Sequence, residues 1–467
     1  MVQIPILNGI YADTSPDFRT SYPRNMVPVP KETGLSQGYL RPADGIVALG
    51  TGPGVNRGGI NWNGVLYRVM GTKLVSISRD NIVTTIGDVG GSGRVTFTYG
   101  FEYLAVTSSG QLWLYDGTTL AQVTDPDLGT ALDVVWVDGY FMTTDGEFLV
   151  VTELNDPFAV NPLKYGSSEA NPDPVVGLLK LRNEVYALNR YTIEVFDNIG
   201  GDLFPFARIE GAQIQKGCVG THAACVFMDN IAFLGGGENE APSIFMGANG
   251  SAAKVATREI EEILLEYTEA QLALAFLEER VDRAHEHLIV HLPNHTLVFD
   301  GAASRVLGMP VWHTLSSSIT DGVQWAASDC IYVYDCWNVG HPDTTQFGCL
   351  DSTISTHWGE TIGWEFGTQI VYNESNGAVF HQMELIALTG SAGFGVDPTI
   401  WTSYSTDGVT FSAEKPVRAG ILGDRAKRLI WLQQGHMRNW RIQKFRGTSD
   451  AHIPVARLEA RIEPLAF

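Results

Sequence analysis

The feature that most constrains this 467-residue chain is a recurring pair of apolar segments joined by a short polar or glycine-containing turn. Each segment has the length and apolar pattern of a β-strand, so each pair predicts a hairpin. Steps of 39, 35, 45, 46, 58 and 43 residues separate its starts, at residues 62, 101, 136, 181, 227, 285 and 328. A hairpin repeat of about 40–45 residues is typical of a β-propeller, in which neighbouring small sheets bury each other's apolar faces around a ring.

Composition supports a fold rich in strands and turns. Only 18% of residues are charged, while 50 are glycines and 48 are Trp, Tyr or Phe. We therefore predict an all-β chain with a propeller of six or seven blades at residues 59–362. Proline and glycine punctuate residues 1–58, which favours an N-terminal extended arm. The hairpin spacing ends near residue 365, and residues 363–467 predict a C-terminal antiparallel β domain resembling a sandwich.

One segment inside the predicted propeller has a helical pattern. Residues 257–284 place Ile260 and Leu264 at helical spacing, and Thr257 and Thr268 stand where N-capping residues are expected. The segment therefore predicts a helical insertion made of two short helices. Either the insertion packs on the propeller as an accessory, or it forms a contact between subunits.

Charge is distributed unevenly along the chain. The net charge is −21, but Glu414–Phe467 holds 11 Lys and Arg against 5 Asp and Glu, a local net of +6. The remainder therefore carries −27. Such a balance argues against a protein that binds nucleic acid over its whole surface, because phosphate binding needs Lys and Arg. It indicates two surfaces with different partners.

Four histidines, at positions 285, 287, 291 and 295, raise the question of a metal site. Side chains alternate along a strand, so His285, His287 and His291 would share one face of a hairpin that turns at Pro293–Asn294. His287 and His291 would then stand roughly 13 Å apart, too far to share a zinc ion. His285 and His287 would share an ion only if carboxylates from elsewhere completed the site. The interpretation we favour is a hairpin edge with partly exposed histidines.

The cysteines indicate a reducing environment. The number of cysteines is five, which is odd for a disulfide framework, so free buried thiols and assembly in a reducing cytosol are the simpler expectation. A structural zinc site is the alternative. Its candidate ligand groups are Cys218–His222–Cys225 and Cys330–Cys336–His341–Cys349.

Catalysis has no positive signal in the sequence. The stretch "SYSTDGVTFS" (403–412) approximates an Asp box, but it is one residue short and a β-turn explains it equally well. The glycine-rich "GDVGGSGRV" (87–95) opens no helix and holds no lysine, so it is a poor phosphate loop. We therefore predict no catalytic, cofactor-binding or metal-binding residues. Neither a signal peptide nor a membrane-spanning segment is expected, because no apolar run approaches about 18 residues.

Several of these stretches together resemble a known family. "NRGGINWNGVLYRVMGTKL", "GDVGGSGRV", "HEHLIVHLPNHTLVFDGAAS" and "SYSTDGVTFS" are similar, in order and spacing, to the packaged-DNA stabilisation proteins of short-tailed bacteriophages. That family forms the tail hub, or nozzle, which completes the head. Residues of about 120–215 match only loosely, and the two ends of the chain depart most from the family pattern.

The resemblance implies a structural, non-enzymatic virion protein. It implies a hexameric ring below the portal adaptor that closes the DNA exit channel, retains the packaged genome and carries tailspikes or fibres and a needle. Double-stranded DNA would pass without specific binding, no membrane insertion would occur, and assembly in the host cytoplasm would place the protein in the virion tail. We further hypothesise that acidic surface lines the channel of the ring and that the basic C-terminal region faces an acidic neighbour.

Two rival functions stay open from the sequence. One is a propeller-type glycosidase or carbohydrate-binding tail protein that stacks sugars on exposed tryptophans. Its candidate residues are Trp62, Trp113, Trp136, Trp312 and Trp325. The other is a metal-dependent hydrolase built on the histidine cluster.

Overall fold

Strands dominate the chain, which is 54% strand and 5% helix, so the all-β prediction is confirmed. The structure is a computed structural model. It describes residues 2–4, 6, 22–31, 38–154, 156–320, 322–373, 376–408 and 410–465.

Four N-terminal strands are shared between the two halves of the fold. They are β1 (Val2–Ile4), β2 (Met26–Pro30), β3 (Gly38–Pro42) and β4 (Gly45–Thr51). Strands β1–β3 join a C-terminal sheet, whereas β4 joins a propeller sheet. The prediction of a separate extended arm at residues 1–58 is therefore wrong for these strands, because their backbones pair with distant segments. Residues 7–21 and 32–37 of that arm lie outside the described residues.

Seven antiparallel sheets follow one another in the described part of the chain. The first four are β5–β8 (Asn56–Trp62, Val65–Met70, Lys73–Ile77, Val83–Asp88), β9–β12 (Thr96–Tyr99, Leu104–Ser108, Gln111–Tyr115, Leu120–Gln122), β13–β16 (Asp133–Val137, Tyr140–Thr144, Phe148–Glu153, Asp156–Ser167) and β17–β20 (Val175–Leu181, Glu184–Asn189, Ile193–Asn198, Phe206–Arg208). The last three are β21–β25 (Gly217–Cys218, Ala224–Phe227, Asn230–Gly236, Ser243–Ala248, Ser251–Lys254), β26–β29 (Phe276–Asp282, His285–His291, Thr296–Asp300, Trp312–Leu315) and β30–β32 (Ser328–Val333, Cys336–Gly340, Gln346–Asp351) with β4.

The seven sheets close into a ring. The innermost strands contact one another in the order β5, β9, β13, β17, β22, β26 and β30, and β30 returns to β5. The seventh sheet is completed by β4, which runs antiparallel to β32 from Gly45 opposite Asp351 to Thr51 opposite Gln346. An N-terminal strand thus locks the last blade, and the described residues form a seven-bladed propeller, one of the two predicted numbers.

Adjacent blades bury each other's apolar faces, as the repeat predicts. Between the first two blades, Val69 and Leu74 pack with Leu104 and Val106, and all four side chains are buried. Each such side chain contributes about 1.5–3 kcal/mol by leaving water. The ring is therefore the arrangement that hides both faces of every small sheet.

The predicted helical insertion is only half right. Two short helices form, α1 (Arg258–Leu265) and α2 (Glu269–Leu272), and Thr268 closes a capping box with Gln271. Thr257 holds the N-cap position of α1 without a side-chain hydrogen bond to the helix. The remainder of residues 257–284 is wrong as helix, because Phe276–Asp282 is the inner strand β26 of the sixth blade. Pairing with β27 overrides the helical spacing there.

A third helix was not predicted. It is α3 (Gly301–Leu307), which begins after Asp300 and ends at Gly308, a residue with φ +69°. The Asp300 carboxylate accepts a hydrogen bond from the Ala303 amide at 3.0 Å. The sequence contains both end signals, an aspartate directly before "GAAS" and a glycine eight residues after that aspartate.

The C-terminal region is a sandwich of two sheets. Its C-terminal strands are β33 (Gly363–Gly367), β34 (Val371–Tyr372), β35 (Ala378–Ala387), β36 (Thr399–Ser405), β37 (Lys415–Arg418), β38 (Leu429–Leu432), β39 (His436–Met437), β40 (Trp440–Thr448) and β41 (Val455–Pro464). One sheet has the strand order β2, β3, β41, β35 and β38, with β1 paired to β41 and β39 paired to β35. The other has the order β33, β40, β36 and β37, with β34 paired to β40. Met26, Leu40, Phe366, Phe380 and Leu458 meet in its apolar core.

Candidate functional site

The centre of the propeller is where the seven blades converge. A cavity of about 250 Å³ remains there, lined from all seven blades. A DNA duplex therefore has no passage along the axis of the propeller.

The glycine-rich stretch at residues 87–95 closes this centre. The Arg57 guanidinium donates hydrogen bonds to the carbonyl oxygens of Gly93 at 2.5 Å, Gly90 at 2.8 Å and Gly71 at 2.9 Å. Gly90 and Gly93 have φ of +63° and +81°, so the loop needs residues that tolerate left-handed backbone. The loop binds an arginine of its own chain through its carbonyl groups. This explains why it lacks the features of a phosphate loop.

The side chain of Arg94, at the end of the glycine-rich loop, occupies the centre of the propeller. Its guanidinium pairs with the Asp329 carboxylate and lies 3.5 Å from the ring centroid of Phe276. Arg94 and Phe276 line both the central cavity and a second cavity of about 480 Å³. The stacked pair therefore separates the two spaces.

Charges around the centre are neutralised within the fold. Arg68 is fully buried and donates to Asn56 Oδ1 at 3.0 Å and to the carbonyl oxygens of Asp329 and Asn338 at 3.0 and 2.9 Å. Burial opposes ionisation of Asp329, but Arg94 and Arg68 outweigh it and hold its pKa below the usual value. Burial raises the pKa of Asp133 to about 6, although backbone amides donate to it. These groups serve packing and closure, since each has partners inside the protein.

The prediction that the histidines are partly exposed at a hairpin edge is wrong. His285, His287 and His291 are all buried, with 6%, 4% and 2% of their surface exposed. His291 Nε2 lies 2.7 Å from Glu278 Oε1, and His295 Nδ1 lies 2.5 Å from the Tyr267 hydroxyl. The face is covered because Val27, Ala43 and Ile46 pack against Ile289 and Val298 of the sixth blade, a contact that the hairpin pattern does not reveal.

His285 and His287 do meet a carboxylate, as the alternative interpretation required. His285 Nδ1 is 2.5 Å from Asp300 Oδ2, and His287 Nε2 is 3.5 Å from the same oxygen. Burial lowers the pKa of His287 and, more strongly, that of the neighbouring His313. Burial opposes ionisation of Asp300, but the hydrogen bond with His285 and the electrostatic attraction of His287 outweigh it and lower the pKa of Asp300. Sequence reasoning missed Asp300 and His313, although Asp300 ends the same hairpin.

The cysteine predictions are wrong in one respect. Cys336 and Cys349 form a disulfide, with 6.2 Å between their Cα atoms. The physical reason is that β31 and β32 are adjacent and antiparallel, with Cys349 opposite Asn338. Cys218, Cys225 and Cys330 are free. Within the described ranges, neither cysteine group brings three potential ligand atoms together.

The remaining sequence candidates have structural roles. Trp62, Trp312 and Trp325 are buried, so they offer sugars no stacking surface. Trp136 is partly exposed, with its ring 5.2 Å from that of Phe101. In the Asp-box-like stretch, Asp407 Oδ1 accepts a hydrogen bond from the Thr410 amide at 2.8 Å, which makes it a turn.

The basic C-terminal region is only partly a surface feature. Arg441 is buried, and its guanidinium carbon lies 3.9 Å from the Tyr404 ring centroid. Its strand β40 runs between β33 and β36, so both of its edges are paired within the sheet. Several other cations pair with acids of the same domain. Within the described ranges, the exposed cations that make no ion pair include Arg425, Lys427, Arg438 and Arg461.

Comparison with known proteins assigns the family. Residues 2–355 match the family described as "Bacteriophage P22 Gp10, beta-propeller", and residues 363–463 match "Bacteriophage P22 Gp10, beta-sandwich". The chain belongs to the P22 Gp10 family. The tail hub protein gp10 of Salmonella phage P22 is 29% identical over 484 residues, covering 99% of each chain. The resemblance drawn from the sequence is confirmed, and the chain is a structural protein of the phage tail hub class.

Solved propellers are more distant. The WD40 domain of Neurospora crassa Pan2 is 13% identical at a TM-score of 0.43, covering 68% of this chain and 97% of its own. The N-terminal domain of Nup159 is 10% identical at a TM-score of 0.41, covering 71% and 99%. Neither similarity adds to the argument. None of the helices in the described ranges has the length and apolar character that a membrane crossing needs.

Proposed function

We propose that the chain is the subunit of a cyclic hub ring that closes the DNA exit channel of a short-tailed phage and retains the packaged genome. The closed centre of the propeller is the observation that carries this proposal. If Arg94 and its partners fill the axis of each propeller, the DNA path must lie between subunits. Each propeller then forms a rigid part of the channel wall.

The ring contacts would be heterologous, so that a rotation closes them into a cycle, and the expected number of subunits is six. The adaptor, a tailspike or fibre, and the needle are the further partners that we propose. Arg425, Lys427, Arg438 and Arg461 are the cations that we expect to face an acidic neighbour. This assignment follows from their exposure and from the surplus of acid elsewhere in the chain.

An acidic subunit suits a channel that DNA must leave quickly. The chain carries a net charge of −21, and phosphates are repelled by carboxylates. We therefore propose that acidic surface lines the channel and that passing DNA is not bound specifically. The protein would have no catalytic activity and would assemble in the host cytoplasm before joining the virion tail. We propose a division into a propeller at residues 59–362, completed by β4 and the start of β5, and a C-terminal domain at residues 363–467, completed by β1–β3.

Mass measurement with and without the adaptor tests the ring. We expect the chain mixed with adaptor assemblies to give a complex that holds about 306 kDa of this protein, six times the 51.0 kDa chain. The purified chain should release no sugar from host surface polysaccharide. A chain that stays monomeric with the adaptor and cleaves polysaccharide would contradict the proposal and favour a glycosidase.

A further inference from the structure

Four polar side chains share one buried face of the sixth blade. His287 is directly opposite Asp300, and His313 is directly opposite Val298. Side chains two residues apart on a strand point to the same side, so His285 joins His287, and Val298 joins Asp300. The register of β27, β28 and β29 therefore collects three imidazoles and one carboxylate on this face.

Among the residues that the structure describes, two of these imidazoles have a ring nitrogen without a hydrogen-bond partner. His287 is 4% exposed and its Nε2 has no hydrogen-bond partner, although it lies 3.5 Å from Asp300 Oδ2. His313 is 1% exposed, its Nδ1 also lacks a partner, and its ring centroid is 5.3 Å from that of His287. A buried polar atom without a partner costs about 1–3 kcal/mol. A ligand that accepts both lone pairs would remove that cost.

We propose that His285 Nδ1, His287 Nε2 and Asp300 Oδ2 bind one zinc-like divalent metal ion. His313 lies outside this group of three, and its side chain would shift toward His287 to supply the fourth ligand. The three named atoms already lie within 4.8 Å of one another. Bonds of 2.0–2.1 Å in a tetrahedral site put ligand atoms about 3.3 Å apart. The His287–Asp300 distance of 3.5 Å meets that requirement, and the 2.5 Å between His285 and Asp300 widens when the ion replaces the proton between them.

The surroundings favour a structural ion over a catalytic one. Asp300 Oδ1 is held by the Ala303 amide at 3.0 Å, which leaves Oδ2 for the metal and fixes its direction. Val27, Ala43 and Ile46 pack against Ile289 and Val298 on the same face, so the site is sealed by the N-terminal segment. With four protein ligands and no open side, the ion would fasten the sixth blade, and substrate would have no access.

Zinc stoichiometry tests this proposal. The full-length protein is stripped with EDTA, supplied with excess Zn²⁺, desalted and measured by inductively coupled plasma mass spectrometry. We expect about one zinc per chain, and a tenth of that or less in a His285→Ala/His287→Ala variant. His381→Ala is the matched control, because His381 is exposed on the sandwich and should leave the zinc content unchanged.

A second variant covers the possibility that the double substitution prevents folding. Asp300→Asn keeps the size and the N-cap acceptor but removes the anionic ligand, and we expect it to fold and to lose most of the zinc. With Co²⁺ as probe, the stripped wild type should gain the visible absorption of a tetrahedral complex, which Asp300→Asn should lack. Wild-type protein that retains no zinc, or variants that retain as much as wild type, would overturn the proposal.

Discussion

The propeller and the sandwich differ in how far apart in sequence their paired strands lie. Each of the first six propeller sheets is built from consecutive strands, and only the seventh borrows a distant one, β4. The larger sandwich sheet instead joins β1, β2 and β3 from the first 42 residues to β35, β38 and β41 near the other end. Local pairing leaves a repeat in the sequence, whereas distant pairing leaves none.

The two regions also differ in how they use charge. The propeller buries arginines and aspartates at its centre. Water cannot easily replace a hydrogen bond or ion pair that is lost there. The sandwich has an apolar core and keeps most of its ion pairs at its surface, such as Arg418 with Asp397 at 3.0 Å. Substitutions of charged residues should therefore matter far more in the propeller.

The largest effect is expected at Arg68, which joins the first and seventh blades. Arg68→Met removes hydrogen bonds to Asn56, Asp329 and Asn338 and should lower the free energy of unfolding by about 3–5 kcal/mol. Denaturant unfolding measures the loss. Arg79→Ala is the control, because its pair with Asp335 is exposed and should contribute less than about 1 kcal/mol. Equal effects of the two changes would contradict a tightly closed ring.

The joint between the two regions depends on Asn25. Its side chain donates to the carbonyl oxygens of Ser316 at 2.8 Å and Gly363 at 2.7 Å, and accepts from the Ser316 amide at 2.9 Å. Asn25→Ala should cost about 3 kcal/mol, at about 1 kcal/mol per bond. Hydrogen exchange should become faster at the joint while the first four blades keep their protection. Unchanged exchange around Ser316 and Gly363 would contradict a role for Asn25 in holding the regions together.

Closure of the propeller centre is tested by Arg94→Met. The change leaves Asp329 buried with one fewer cationic partner, and we expect a loss of about 2 kcal/mol in unfolding free energy. Lys444→Met provides the comparison in the sandwich, where the pair with Glu365 is more exposed. We expect that loss to be below about 1 kcal/mol. A larger loss of unfolding free energy in Lys444→Met than in Arg94→Met would contradict the tight closure of the propeller centre.

Acid should weaken the protein partly through Asp44. This carboxylate is buried, but Arg280 and Arg41 outweigh the burial and hold its pKa below the usual value. A lowered pKa stabilises the folded state above the unfolded value near 4, and that stability is lost as the pH falls further. The unfolding free energy of Asp44→Asn should therefore be lower at pH 7 and change less between about pH 5 and 3. A variant as acid-sensitive as wild type would contradict this assignment.

The sequence could predict the blades because hairpins are local. The turn residues and the apolar alternation of each hairpin lie within about 20 residues of one another. Thr268 begins a helix and Pro293–Asn294 form a turn, as the sequence predicts. Strand β26 could not be separated from helix by spacing alone, since its strand conformation is set by pairing with β27. The places of β1–β4 depend on partners hundreds of residues away.

The histidine cluster shows the same division. Alternation along one strand correctly puts His285 and His287 on a common face. Their burial depends on Val27, Ala43 and Ile46, and the position of the carboxylate depends on the register that sets His287 opposite Asp300. His313 joins from a third strand beyond α3, which no local pattern links to the hairpin.

A reconstruction of the hub ring at side-chain resolution, with DNA in the channel, tests the central claim most directly. We predict DNA between subunits, a channel wall in which acidic side chains outnumber Lys and Arg, and propeller axes closed by Arg94. DNA passing along a propeller axis, or a channel wall dominated by Lys and Arg, would contradict the account.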